Sequence, residues 1–592
     1  MTEKKKQPDL RLLPNRFGSS QGAPDKLRTD LPFKQSASMV PAGFHSLSGM
    51  KKLNTMLSLA DPEGFIRSLP DQELHHLIHH IGLEDAAVLV PHTTQDQFKS
   101  LLYFDLWVGY SFVPERLERW VWALDEYGTP EDVSSRLGEL DTELVGNVLS
   151  QWTRIYMKET QDEELDLPDS PFLFASPDTR YYIEVVGEQA NERFPLVHRM
   201  VKSLYEYDLE HAHRVIDQVR AGIGVEIEES ILHFRNAWLE DFGFLPLELA
   251  GKMYSFVGLE KARDEVENLL KGSDLRFSVD TDPVLCTSLM SVGTSRGFLR
   301  DVLSTIDDPE EQNLFAIGFS YITNRAVTVK RLDLSDLDAF AGESRWAFYT
   351  LSVALEYLAD GSLDKGRSIL SHVDLVTLHR IGVTLFELCG REARAALGAL
   401  GGPTSNHLFD APLDEILAAS AQRLPLYAEA LSDEGSVVTR PFESLDEVWR
   451  VRDVLRGGRR VAEFFSSTFG LSASVPEDDG DLASRLSDTR LSSIALTLVA
   501  HGAREEKPAL RPISIEDAQD WLASMDSTSL DSHLEQALSR VLLAYDVGEA
   551  ERDGIVSVLV GPMLTRIEGL TAGLAGDQHS VNLMADAFVL EH

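Results

Sequence analysis

LPDQELHHLIHHIGLEDAAVLVPHTTQDQFKSLLYFDLWVGYSFVPERLERWVWALDEY, residues 69–127, decides the fold class. After Pro70, Leu74, Leu77, Ile78 and Ile81 recur at i, i+3, i+4 and i+7, the spacing of one apolar stripe on a helix. Gly82 supplies a C-terminal stop. A short helix over 84–90 runs to Pro91, which has no backbone N–H to donate. Thr94 and Gln97 form a capping-box pattern that starts a third helix burying Phe98, Leu101 and Leu102. Pro114 opens a fourth, with Leu117, Trp120, Val121 and Leu124 as its stripe and Gly128 at its end. Helices this short bury their stripes only by stacking on neighbours. The stretch therefore predicts a mostly α protein, a multi-helix array of hairpin or solenoid type.

Working outward, the same grammar recurs. A helix after Asp141 carries Leu144, Val145, Val148, Leu149, Trp152, Ile155 and Tyr156 on one side. Phe172–Phe174 and Arg180–Val186 are aromatic and β-branched around Ser176-Pro177-Asp178, which predicts one small β-hairpin insertion. Near the C-terminus Ile555, Val558, Leu559, Met563 and Ile567 align, with Gly561-Pro562 expected to kink or split their helix. Composition shifts divide the chain into a flexible basic arm (1–45), an N-terminal helical domain (46–160), a β-hairpin plus helical domain (161–270), a central helical domain (271–471), a linker (472–481) and a C-terminal helical region (482–592). The arm holds eight Lys plus Arg against four Asp plus Glu, the reverse of the chain's overall balance.

That overall balance is a net charge of −40 over 592 residues. Such a field opposes binding to nucleic-acid phosphates and to anionic lipid, and suits a protein partner with basic character. Two cysteines, Cys286 and Cys389, rule out a disulfide framework and a Cys-rich zinc module, and place the chain in a reducing cytoplasm. No sustained apolar run of about 18 residues predicts a membrane span.

Few residues point to chemistry. His75, His76, His79 and His80 form two i, i+4 pairs, each able to hold a divalent cation from one helix face. Position 76 is His where the HExxH pattern needs Glu. With the apolar stripe on the core, the four imidazoles are expected to face solvent or a partner, so they remain weak metal candidates and no metal or cofactor is predicted. Arg450, Arg452, Arg456, Arg459 and Arg460 are the strongest basic cluster, a possible anion-binding set that the surrounding carboxylates compete for. Arg235 and Asp241 are six apart on the sequence, too far for a direct helical pair, and are expected to satisfy backbone or cross-helix partners near Gly243. No catalytic residue is identified: phosphate-loop, dinucleotide, GxSxG, CxxC and kinase patterns are all missing.

The stretch HFRNAWLEDFGFLPLELAGKMYSF, together with IGLEDAA and the FDLW around Asp105, Leu106 and Trp107, resembles a bacterial domain-of-unknown-function family. Its block reads R-x-x-R-L-x-D-x-G-F, matched here by Arg235, Leu239, Asp241, Gly243 and Phe244, with Trp238 where the second Arg belongs. The resemblance implies a helical N-terminal region and no assigned activity. Serial amphipathic helices with an acidic surface favour a cytoplasmic scaffold or protein-interaction protein. The alternative is a helical enzyme or ligand-binding protein with a His/carboxylate or Arg-lined site.

Overall fold

The computed structural model describes residues 47–157, 166–221, 224–271, 295–429, 437–473, 486–525, 529–574 and 580–591. The arm 1–45, most of the linker 472–481, and Cys286 lie outside these residues. The structure is 70% helical, with only short antiparallel strand pairs, so the mostly α, multi-helix class holds.

Local chemistry starts most of the N-terminal helices. Asp61 accepts from Gly64 N and caps Pro62–Ser68. Reciprocal capping boxes, Thr94 with Gln97 and Thr129 with Asp132, open Gln95–Asp105 and Pro130–Gly138. The short helix expected over 84–90 divides into one α-turn, Leu83–Ala86, and a tighter 3-10 segment, Ala87–His92, that contains Pro91 rather than stopping before it. The buried faces of these helices and of the 117–127, 142–152, 190–207 and 209–220 helices close around one apolar core that includes Phe65, Phe98, Trp120 and Trp152.

One helix ends sooner than its apolar stripe predicts. Thr142–Trp152 stops at Trp152, and Thr153–Met157 is a strand rather than a helical turn carrying Ile155 and Tyr156. It pairs antiparallel with Tyr181–Val185, from Thr153↔Val185 to Met157↔Tyr181. Leu173–Ala175 pairs on the other edge, so the expected hairpin is a three-stranded sheet with Tyr181–Val185 in the middle. The cause is a competition between periods: Thr153, Ile155 and Tyr156 suit a pleated surface as well as a helix, and a ready partner strand supplies the ladder.

A second core runs from Met253 to Leu590. Its axis is a set of long helices, Leu337–Ala359, Leu375–Ala399 and Leu445–Phe469. The first two cross so closely that a Cβ on Gly382 would lie 2.2 Å from the Thr350 carbonyl oxygen. Cys389 is buried here, and burial pushes its thiol up to about 12. Glu549–Leu574 stays one helix with Pro562 inside it, so the proline does not split it. Its buried residues Ile555, Leu559, Met563 and Ile567 dock on this core on both sides of the proline. Its Glu549–Thr571 part is, among the described residues, long and apolar enough to cross a membrane, and 33% of its most apolar window is buried, as for a helix with one face on a core.

The two cores meet at a small third cluster: Tyr103 and Phe104 from the first half, Leu239 and Phe244 from the turn at Gly243, and Val327, Leu334 and Phe340 from the second. Gln72 and Asn324, 252 residues apart, exchange amide hydrogen bonds of 2.8 Å beside it.

Candidate metal centre

The histidine helix, Asp71–Ile81, faces this junction. Leu74, Ile78 and Ile81 enter the first core as the stripe predicts. The opposite side is not solvated. His75 and His76 are 1% and 2% exposed, which corrects the expectation that the imidazoles look outward. Aromatic rings from both halves of the chain cover them. The His76 ring lies 4.4 Å from that of Phe340, and His75 lies 5.3 Å from Phe104. Of the four candidates only His80 is exposed.

Of the two i, i+4 pairs, one converges. The rings of His75 and His79 are 4.4 Å apart, whereas His76 turns to Phe340 and His80 to the chain near Leu47. Asp105, at the last position of Gln95–Asp105, completes the group: one ligand atom each from His75, His79 and Asp105 lies within 4.8 Å of the others. His79 Nε2 stands 3.3 Å from Asp105 Oδ1, in ion-pair range but without hydrogen-bond alignment. Two donors on one tetrahedral cation with bonds of about 2.0–2.1 Å are separated by about 3.3 Å.

The carboxylate is tightly held. Trp120 Nε1 donates to its Oδ2 at 2.7 Å and Ser335 Oγ to its Oδ1 at 2.5 Å. Arg116 donates to the Asp105 carbonyl at 2.8 Å and makes a two-pronged pair with Asp333. Such outer contacts orient a ligand and fix its charge. Burial opposes ionisation of Asp105, yet its contacts with His79, His75 and the Ser335 hydroxyl hold the carboxyl well below the usual range. Burial first, then His79 and His76, push His75 far below the usual histidine range. Burial and then His79 push His76 down to about 3. His75 and His76 are therefore neutral, the form in which imidazole binds a cation.

Two features fit a divalent ion. Both ring nitrogens of His75 and of His76 are buried without a hydrogen-bond partner, which is costly for a polar group. The charges also leave a remainder: Arg116 is shared between Asp333 and Asp105, one guanidinium for two carboxylates. Three protein donors leave a four-coordinate ion one position for water or another ligand.

The other sequence candidates lie elsewhere. Arg450 pairs with Asp446 at 2.8 Å, Arg456 with Glu392 at 3.3 Å, and Arg459 with Glu392 at 3.3 Å and Glu463 at 2.7 Å. Arg460 donates to the Ala550 carbonyl, and Arg452 stands over the Trp449 ring. Arg235 donates to the Tyr103 carbonyl, and the Asp241 carbonyl accepts from the Tyr321 hydroxyl, near the Gly243 turn as expected. Asp105 is the third member of the cluster, and no metal motif in the sequence reaches it. Its signal was present: a carboxylate at a helix C-terminus opposes the helix dipole, and here it sits within the apolar YFDLW run.

These features define a class, a helical protein whose two apolar cores meet around a buried His–His–Asp cluster. The chain belongs to the family described as "Family of unknown function (DUF6178)", which matches residues 29–588. No curated protein and no solved structure matches it.

Proposed function

We propose that this protein is a cytoplasmic helical interaction scaffold whose two cores are pinned together by a zinc-class divalent cation at His75, His79 and Asp105. The observation that carries the metal is the convergence of these three side chains, two buried and His79 largely so, with unpartnered imidazole nitrogens and a carboxylate that shares its one guanidinium with Asp333. Near-complete burial suits an ion that locks a junction rather than one that meets bulk substrate. The scaffold part rests on the run of helical elements and on the net charge of −40, which suits a basic protein partner and disfavours nucleic acid and membrane surfaces.

The test is metal content of the full chain after zinc loading and gel filtration. One equivalent per chain is expected in the wild type and in His80→Gln, and a clear loss in His79→Gln. Equal retention in all three, or none in the wild type, overturns the metal assignment. The scaffold reading is tested separately, by capture from a lysate of the source cells. A stoichiometric basic protein partner supports it, and a chain that elutes alone opposes it.

A further inference from the structure

A second polar group near the junction is left unanswered by the metal centre. The turn between the short strands Trp107–Val108 and Ser111–Phe112 presents Tyr110 to a cleft also lined by Arg235, Asn236, Phe244, Thr328 and Arg331. The cleft is narrow and open to solvent, a place for a small anion and not for a folded partner. Two guanidinium groups line it and no carboxylate does.

Arg235 is 8% exposed. Its Nε donates to the Tyr103 carbonyl at 3.3 Å and its guanidinium lies 5.1 Å from the centre of the Trp107 ring. Among the described residues it has no ion-pair partner, although a buried guanidinium ordinarily takes one. Its Asn236 neighbour adds an amide to the same wall. The Tyr110 hydroxyl is likewise buried with no hydrogen-bond partner.

Arg331 also lines the cleft, in the left-handed conformation (φ +55°) of the residue just past the helix Pro309–Lys330, where Leu332 N–H donates to the Val327 carbonyl. The turn approaches it closely because residue 109 is glycine: a Cβ there would lie 2.9 Å from the Arg331 Cβ. The Arg331 guanidinium stands 5.4 Å from the Tyr110 ring centre.

We infer that this cleft is a binding site for a small molecule presenting an oxyanion, a phosphate or a carboxylate, held between Arg235 and Arg331 with the Tyr110 hydroxyl donating to it. Paired guanidinium groups with added donors match both anion geometries. The two sources are separated by the probe.

The experiment is isothermal titration of the full chain with inorganic phosphate and, separately, with acetate, against chloride at matched ionic strength. Saturable binding of one equivalent is expected, weakened tenfold or more in Arg331→Gly and in Tyr110→Phe. Glycine at 331 accepts the positive φ without strain, so that variant keeps its fold. Binding of phosphate alone assigns a phosphoryl ligand, and of acetate alone a carboxylate. His79→Gln should bind equally well. Loss there would move the anion to a cation at the histidines and overturn the assignment. No saturable binding of either probe, or unchanged binding in both cleft variants, overturns it as well.

Discussion

The histidine helix, Asp71–Ile81, and the arginine helix, Leu445–Phe469, each concentrate one kind of ionisable side chain, and the fold treats them in opposite ways. The arginines line a surface, where Arg450, Arg456 and Arg459 each meet a carboxylate on their own helix or on Leu375–Ala399. The histidines lie at a junction, where His75 and His76 meet aromatic rings and one another. A cluster's reactivity thus depends less on how many groups it has than on whether the surrounding fold answers them. Where carboxylates answer, the groups contribute solvated ion pairs. Where they do not, buried nitrogen is left without a hydrogen-bond partner.

The largest test of this contrast is Asp105→Ala. It removes the acceptor of Trp120 Nε1 and Ser335 Oγ and leaves Arg116 with Asp333 alone. Denaturant unfolding should show a loss of about 3–5 kcal/mol, the range for breaking a buried charged network from one side. A loss under about 1 kcal/mol would put Asp105 in the same class as the surface arginines.

Next is metal removal. If the cation binds only the folded chain, cation at about a hundred times its dissociation constant adds about 2.7 kcal/mol of stability. Chelator should lower the wild-type melting temperature accordingly and leave that of His79→Gln where it was. An identical response in both would break the link between the histidines and stability.

A third test sharpens the picture of an under-neutralised face. Burial pushes the Asp71 carboxyl up to about 6, against the Ser100 hydroxyl that donates to it at 2.5 Å. An unfolded carboxyl titrates near about 3.9, so the folded state holds the extra proton between these values. The stabilising contribution is therefore full below about 4 and is lost as pH rises through about 6. Asp71→Asn should stabilise the protein by up to about 3 kcal/mol at pH 8 and by little at pH 4. A gain that is flat with pH would show that the carboxyl is not raised.

The smallest effect belongs to the arginine helix. Arg459 is about half exposed between Glu392 and Glu463, and Arg459→Ala should cost less than about 1 kcal/mol, less still at high salt. A loss of several kcal/mol in a melt at physiological salt would erase the contrast.

The boundary at Trp152 shows how far sequence patterns reach. Thr94 with Gln97 and Thr129 with Asp132 signal helix starts because each box closes within four residues, and both are found in the structure. Thr153–Met157 gives no such sign, since its ladder is completed by Tyr181–Val185 further along the chain. Asp105 is intermediate: its position against the helix dipole was readable, its partners were not. The cleft residue Arg235 was singled out by the family block, whereas Arg331 and Tyr110 carried no signal, because only the packed turn brings them together.

The sequence by itself determined the mostly α class, the apolar stripe of the histidine helix, its i, i+4 histidine pairs and the acidic field. These depend on helical periodicity and on charge, which need no knowledge of distant residues. Only the tertiary structure decided that the far side of that helix is covered, that His75 and His79 converge with Asp105, and that His76 and His80 part. Ser335 reaches Asp105 across 230 residues of chain, and the packing of two apolar cores, not any local pattern, closes that distance.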